Sequence, residues 1–364
     1  MKKTYVNSYE SFSCAGNTIE LMNSIYANKS CVEIDTTFMP NTPVGLGRMK
    51  YDNFFDVLTQ TVEQVLHTSN LSDFSTTLLI VGSSVGGMTE SEQHYFKDKN
   101  YKNVDPARHA ISVISKHLQE NFLFLDSRSI STACTSSANA MLLAKRLIGV
   151  GAYDNILVVG ADALCYTTVC GFYALSVLSS KQCTPFSENR DGMNVAEAVA
   201  ALLLQSKKTE NSIELLGVGA SSDAYHITNP DPEAKGAISA MKNALDDADL
   251  NPKKIEYVNA HGTGTVANDT VEGLAIETLF NDAYVSSTKA VTGHTLGASS
   301  AIEAIISCEV IKQGIIPPQV ALTKAENEKL KIPKEAIEQK VNYVMSNSFA
   351  FGGNNTSLVF GRVN

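Results

Sequence analysis

Short apolar runs alternate with helix-spaced patterns along most of this chain, and that alternation constrains its fold more than any other feature. Helices are expected near residues 54–67 and 108–120, then at 136–148, 232–248, 269–280 and 301–313. Between them lie strand-like runs at 78–81, 156–159, 213–218 and 255–258, with Val359 and Phe360 close to the end. Asp231 followed by Pro232 suits a helix cap and a first helical residue. A short polar break at 207–211 (KKTEN) interrupts the pattern. Such alternation specifies an α/β protein with buried sheets. Residues 195–205 (VAEAVAALLLQ) point two ways: their Ala and Leu content favours helix, whereas an unbroken apolar run fits a doubly buried strand. No low-complexity segment and no internal repeat is visible in the sequence.

Composition narrows the class. A chain of 364 residues with 44% hydrophobic content can build a large core, and its length suggests two domains. The net charge of −9 argues against nucleic acid as a general partner. No segment approaches the ~20 apolar residues that span a membrane. Residues 1–8 (MKKTYVNS) lack the apolar core of a signal peptide. A cytoplasmic protein without a membrane span is expected. Its cysteines (Cys14, Cys31, Cys134, Cys165, Cys170, Cys183 and Cys308) are odd in number and form no CxxC pair. Neither a disulfide framework nor a zinc site is therefore favoured, and the thiols are expected to be reduced.

Cys134 stands apart from the others. It lies in residues 131–139 (STACTSSAN), where an extended segment at 127–130 gives way to the helix at 136–148. The N–H groups and dipole of a helix N-terminus favour a thiolate, so a lowered thiol pKa is expected. Alone, a cysteine among Ala and Ser is more often a small core residue. Two histidine segments change that balance. His261 ends an apolar run and enters a glycine-rich turn (VNAHGTGT, 258–265), and His294 lies in a bend of small residues shortly after Lys289 (STKAVTGHTLGA, 287–298). Glycines at such places let backbone approach a ligand, and both imidazoles are presented at the ends of elements.

These segments, in this order, resemble the elongating β-ketoacyl-acyl-carrier-protein synthases, the Cys-His-His members of the thiolase-like superfamily. The matching motifs are STACTSS around Cys134, PFSENRDG at 185–192, HGTGT at 261–265 with Asp269 and Glu272 beyond, STKAVTGHTLGAS at 287–299 with Glu303 beyond, and NSFAFGGNN at 347–355. The resemblance runs from about residue 75 to the C-terminus. It implies an α/β, thiolase-like, five-layered αβαβα fold of two similar halves. Residues 1–208 would carry the nucleophilic cysteine and residues 209–364 both histidines. On the same grounds residues 195–205 are assigned to a strand.

The implied reaction is a decarboxylative Claisen condensation. Cys134 takes up an acyl chain from a thioester. Loss of CO2 from a malonyl thioester then gives an enolate, stabilised by Nε2–H donors on His261 and His294, with Lys289 tuning His294. The backbone N–H groups of Cys134 and Phe351 would form the oxyanion hole, at ~3 kcal/mol per donor, and Phe351 would gate the acyl pocket. Thr263 and Thr265 match contacts to a phosphopantetheine arm, while Met88, Thr89 and Phe172 match the border of the acyl pocket. Glu303, Asp269 and Glu272 match supports of the active-site loops, although a helix cap at Asp269 and a solvated face at Glu272 serve equally. Arg48, Lys50, Lys99 and Lys102 match basic positions that dock an acidic carrier protein. No bound cofactor and no metal are implied, since substrates ride on the acyl carrier protein. The expected assembly is a homodimer, or a heterodimer with a chain-length-factor-like ketosynthase.

Two departures bear on substrate: Ala196-Glu197-Ala198 stands where the family usually has Gly-Glu-Gly or Gly-Asp-Gly, and Ala350 replaces the first glycine of Gly-Phe-Gly-Gly. They favour a dedicated polyketide or polyene pathway, such as one making aryl polyenes, over housekeeping fatty-acid elongation. A non-catalytic chain-length factor would lack the cysteine. A thiolase would need a second cysteine near the C-terminus, and no cysteine follows Cys308.

Overall fold

The structure is a computed structural model describing residues 1–39 and 41–363. Ten strands carry the architecture, five from each half of the chain. The first five are β1 (Tyr5–Ser13), β2 (Thr77–Gly82), β3 (Asp126–Ile130), β4 (Asn155–Asp162) and β5 (Ala198–Gln205). The second five are β6 (Ile213–Ser222), β7 (Tyr257–Asn259), β8 (Tyr284–Ser286), β9 (Tyr343–Phe349) and β10 (Asn354–Arg362). The first set lies in the order β3-β2-β4-β5-β1 and the second in the order β8-β7-β9-β10-β6. Numbered within each half, both orders read 3-2-4-5-1. Polarity repeats as well: β2 pairs in parallel with β3 and β4, and β7 with β8 and β9. The remaining pairs in each half are antiparallel. The two sets meet edge to edge where Tyr5 and Val6 of β1 pair with Glu214 and Ile213 of β6.

The reason for strands here is visible in their burial. Every residue of β2 and β5 is buried, as continuous apolar runs demand when both faces are covered. Residues 198–205 are therefore strand despite their helix-favouring Ala and Leu, because burial between two layers overrides intrinsic propensity. The covering helices are α1 (Thr18–Tyr26), α2 (Phe54–Thr68), α3 (Met88–Asp98), α4 (Val113–Asn121), α5 (Ser136–Gly149), α6 (Tyr166–Ala174), α7 (Lys235–Asp247), α8 (Val266–Leu279), the single turn α9 (Lys289–Thr292) and α10 (Ser299–Gln313). α5 and α10 pack against strands of both halves. α2 and α4 cover the outer face of the first, α7 and α8 that of the second. Five layers, αβαβα, result. α10 is buried on nearly all sides because it is the middle of the molecule. Both central helices cross at Gly160 of β4, where an added Cβ would lie 2.8 Å from that of Ala301 and 3.0 Å from that of Ser137.

Three expectations are corrected. The helix anticipated over 108–120 is split into Pro106–His109 and Val113–Asn121, because the intervening backbone lies directly on Gly86 and Gly87. The helix anticipated from 232 starts at Lys235: Asp231 accepts the N–H of Glu233 in a preceding turn, and Ala234 is left-handed. Finally, Cys14 and Cys31 are bonded to each other, leaving five free thiols rather than seven. The turn after β1 and the segment after α1 return to the same place, which residue spacing in the sequence does not show. Among the described residues no helix is long and apolar enough to cross a membrane.

Candidate active site

The site forms where the two halves meet. Cys134 follows β3 and sits just before α5, on a turn in which Ala133 holds φ 53°. A non-glycine residue tolerates that conformation when its surroundings fix it. Ser84 Oγ donates to the Ala133 carbonyl at 2.9 Å and Ser300 Oγ to the Cys134 carbonyl at 3.2 Å. From the second half, His261 lies two residues beyond β7 and His294 follows α9. Gly293 makes the connection with φ 73° and ψ 178°, a conformation for glycine alone. The backbone of His294 is clamped by its N–H to the Asn194 carbonyl at 2.7 Å and its carbonyl to the Ala196 N–H at 2.9 Å.

These constraints bring His294 Nε2 to 3.0 Å from Cys134 Sγ. The His261 ring stands edge-on to His294, centroids 5.2 Å apart, and the Sγ and one nitrogen of each ring lie within 4.8 Å of one another. This donor set would suit a thiophilic cation. Burial and the nearby Lys289 ammonium hold both histidines well below the ordinary imidazole range, so both are neutral. Burial also pushes the Cys134 thiol up to about 12, with Lys289 acting in the opposite direction. The expected lowering is thus corrected: a dry pocket outweighs the helix N-terminus, and the resting group is a thiol.

Behind the histidines lies a buried ionic frame. Lys289 Nζ donates to the His261 carbonyl at 2.6 Å and pairs with Glu303. Glu272 is fully buried, not on a solvated face, and accepts the N–H groups of His261 and Gly262, both at 2.8 Å. Burial raises its carboxyl to about 7. Asp269 is not the helix cap; Thr265 is, and Asp269 accepts the N–H groups of Phe186 and Gly264 from within the first turn. Thr263 and Thr265 bond each other and line the cavity of about 130 Å³ that reaches Cys134 and both histidines.

Phe351 and Phe172 face each other across this cavity, rings 5.9 Å apart. The Phe351 loop is tethered by the Gly352 N–H to the Ile227 carbonyl at 2.7 Å, and its positive φ angles fall on Gly352 and Gly353, so Ala350 is accommodated. Met88 lies behind the cavity in an apolar cluster with Phe172 and Leu296, its sulfur 3.5 Å from that of Cys165. Thr89 lines a separate cleft with Phe96 and Tyr166. Arg48 lines that second cleft too, paired with Asp35. Lys50 borders a third cleft, while Lys99 and Lys102 are exposed at and beyond the end of α3. None of the four cations lines the Cys134 cavity.

Sequence reasoning missed Asp162 and Arg190. Asp162 ends β4, fully buried, and accepts from Ser83 Oγ and from the N–H groups of Ser84, Val85 and Gly297. It ties the loop under Ala133 to the loop after His294. A carboxylate closing an apolar strand was the available signal. Arg190, in the PFSENRDG segment, bonds the carbonyls of Ser187, Thr265 and Val266.

Residues 22–210 match the family described as Beta-ketoacyl synthase, N-terminal domain, and residues 213–323 match Beta-ketoacyl synthase, C-terminal domain. The 3-oxoacyl-[acyl-carrier-protein] synthase 2 of Coxiella burnetii is 35% identical over 343 residues, which cover 86% of this chain and 83% of that protein. A ketosynthase (ApeO) from Xenorhabdus doucetiae, solved in complex with its chain length factor (ApeC), has a TM-score of 0.92 and 30% identity, covering 100% of this chain and 98% of that one. A beta-ketoacyl synthase from Burkholderia phymatum gives a TM-score of 0.91 at 26% identity, with both chains fully covered at 100%. The chain belongs to the β-ketoacyl synthase family, thiolase-like condensing enzymes of the acyltransferase type.

Proposed function

We propose that this chain is a β-ketoacyl-[acyl-carrier-protein] synthase in which Cys134 carries the growing acyl chain and His261 and His294 promote its extension. The observation that carries this reading is the approach of His294 Nε2 to Cys134 Sγ beside the His261 ring. An acyl thioester on a phosphopantetheine arm enters past Thr263 and Thr265. Cys134 sulfur attacks its carbonyl carbon, the pantetheine sulfur leaves, and the thiol proton ends on that leaving group. The N–H groups of Cys134 and Phe351 hold the oxyanion between these events. A malonyl thioester then takes the vacated place. Its C–C bond to the carboxylate breaks, CO2 departs, and the electron pair forms an enolate whose oxygen accepts N–H bonds from the two histidines. The enolate carbon attacks the acyl group, the C–S bond to Cys134 breaks with its electron pair on sulfur, which regains a proton from water, and the β-ketoacyl product leaves on its carrier.

Lys289, held by Glu303, fixes the His261 carbonyl and supplies positive charge beside both rings. Phe351 and Phe172 flank the path of the chain, with Met88 behind it and Thr89 further out. Asp269 and Glu272 hold the 261–265 turn. The scheme uses no bound cofactor or metal. We divide the chain at 208/209, in the link between β5 and β6. The carrier docks through Arg48, Lys50, Lys99 and Lys102, and the enzyme works in the cytoplasm as a dimer through the open edge of β3. The 30% identity to a ketosynthase solved with a chain length factor supports a dedicated polyketide or polyene pathway and a heterodimer of that kind.

The test is mass spectrometry of the acyl group trapped on Cys134 in cells, with chain length assayed for the protein alone and with candidate partners. Cys134→Ala should abolish both acylation and labelling by cerulenin. A homodimer that elongates saturated chains at full rate would return the protein to fatty-acid elongation. An adduct on Cys165, Cys170 or Cys183 would remove the mechanism.

A further inference from the structure

Cys14 and Cys31 belong to neither the mechanism nor the family motifs. Their Cα atoms are 5.6 Å apart, a spacing at which a disulfide closes without backbone movement. Both side chains are half-buried and so within reach of a small reagent, whereas Cys134, Cys165, Cys183 and Cys308 are buried. The pair rests on the end of α9, immediately ahead of His294. Cys31 Sγ lies 3.1 Å from the Val291 carbonyl oxygen and Cys14 Sγ 3.4 Å from the Thr292 carbonyl oxygen. The Cys31 N–H also donates to the Val291 carbonyl at 3.1 Å.

Carbonyls at the end of a helical turn lack donors from within it. A thiol supplies an S–H to such an oxygen, and a disulfide sulfur has none to give. Thr292 is only 3% exposed, so water is poorly placed to substitute. The redox state of the pair therefore decides whether the Thr292 carbonyl keeps that donor, two residues before a ring that must point at Cys134.

We propose that Cys14 and Cys31 are a reversible thiol–disulfide site that modulates condensation through α9 and His294, with a small-molecule disulfide such as glutathione disulfide as its oxidant. One cysteine, as thiolate, attacks the glutathione disulfide and releases one glutathione. The second attacks the resulting mixed disulfide and releases the other. Two protons leave the pair, and its two electrons pass to the two glutathione thiols. The dithiol is the faster form, since it holds the segment before His294 by one more hydrogen bond.

The experiment compares enzyme treated with dithiothreitol and with glutathione disulfide, reading peptide mass, acylation of Cys134 and malonyl decarboxylation separately. Oxidised enzyme should show a Cys14–Cys31 link and decarboxylate about fivefold more slowly, the effect of losing roughly one hydrogen bond, and dithiothreitol should restore the rate. Cys14→Ser keeps a donor for the Thr292 carbonyl and cannot close the bond, so it should decarboxylate equally under both treatments. A linked enzyme at full rate, an oxidised enzyme without the link, or an equal fall in Cys14→Ser would each overturn the proposal.

Discussion

The N–H of Leu296 donates to Nδ1 of His294 at 3.3 Å, which leaves the ring proton on Nε2, the nitrogen 3.0 Å from Cys134 Sγ. A neutral ring held in that tautomer is a hydrogen-bond donor toward the cavity and not a base. The same N–H that steadies sulfur in one step is available to an enolate oxygen in the next.

Removing either ring should therefore separate the two steps. His261→Ala should still acylate Cys134, whereas His294→Ala should acylate more slowly because it loses the Sγ contact. Both should lose about 10²-fold or more in malonyl decarboxylation, as positioned donors do. Single-turnover assays of each step check this. Unimpaired decarboxylation in both variants would remove the assignment.

Acid should reveal the buried histidines. Because both are held well below 6.5 in the folded state, neither ring should add an acid limb to malonyl decarboxylation as pH falls from 8 through 6.5, and the buried group that titrates in that window is Glu272, raised to about 7. Stability behaves in the opposite sense to that of a salt-bridged histidine. The unfolded chain binds protons below about 6.5 that the folded one refuses, so these two groups destabilise the fold as pH drops from there. A kinetic acid limb near 6.5 that survives in Glu272→Gln contradicts the neutral pair. Alkylation of Cys134, with its thiol pushed up to about 12, should accelerate with pH and show no plateau below 9.

Lys289 and Glu303 are each 2% exposed. Lys289→Met leaves a carboxylate without its ammonium in the core and should cost about 3–5 kcal/mol in urea unfolding. The double variant Lys289→Met, Glu303→Leu should recover much of that loss but not the decarboxylation rate. Equal unfolding midpoints for single and double variants would show the pair to be uncoupled.

Carrier docking is tested on the surface cations. Reversing the charge of Lys99 and Lys102 together should raise KM for carrier-bound substrate and flatten its salt dependence, with little change for a pantetheine-only thioester. Wild-type kinetics in this variant would place the dock elsewhere.

The residues that approach one another at the site were readable because each is announced by its own segment: small residues around Cys134, glycines after His261 and before His294. The strand orders were not: 127–130 reads as extended, but nothing in DSRSI names its partner, and it lies on the edge that β2 offers. Asp162 escaped because a carboxylate at the end of a strand looks solvated until both loops fold over it. The Cys134 pKa was misjudged for a related reason: a helix N-terminus is local, whereas the desolvation that outweighs it comes from residues 160 positions away.

Two successive stretches of chain share one strand order and one pattern of polarity, a structural repeat that persists where side chains do not match. The first supplies a buried turn for sulfur, the second its loops for two imidazoles, and the chemistry resides in the seam. Neither stretch, standing alone, holds all three groups.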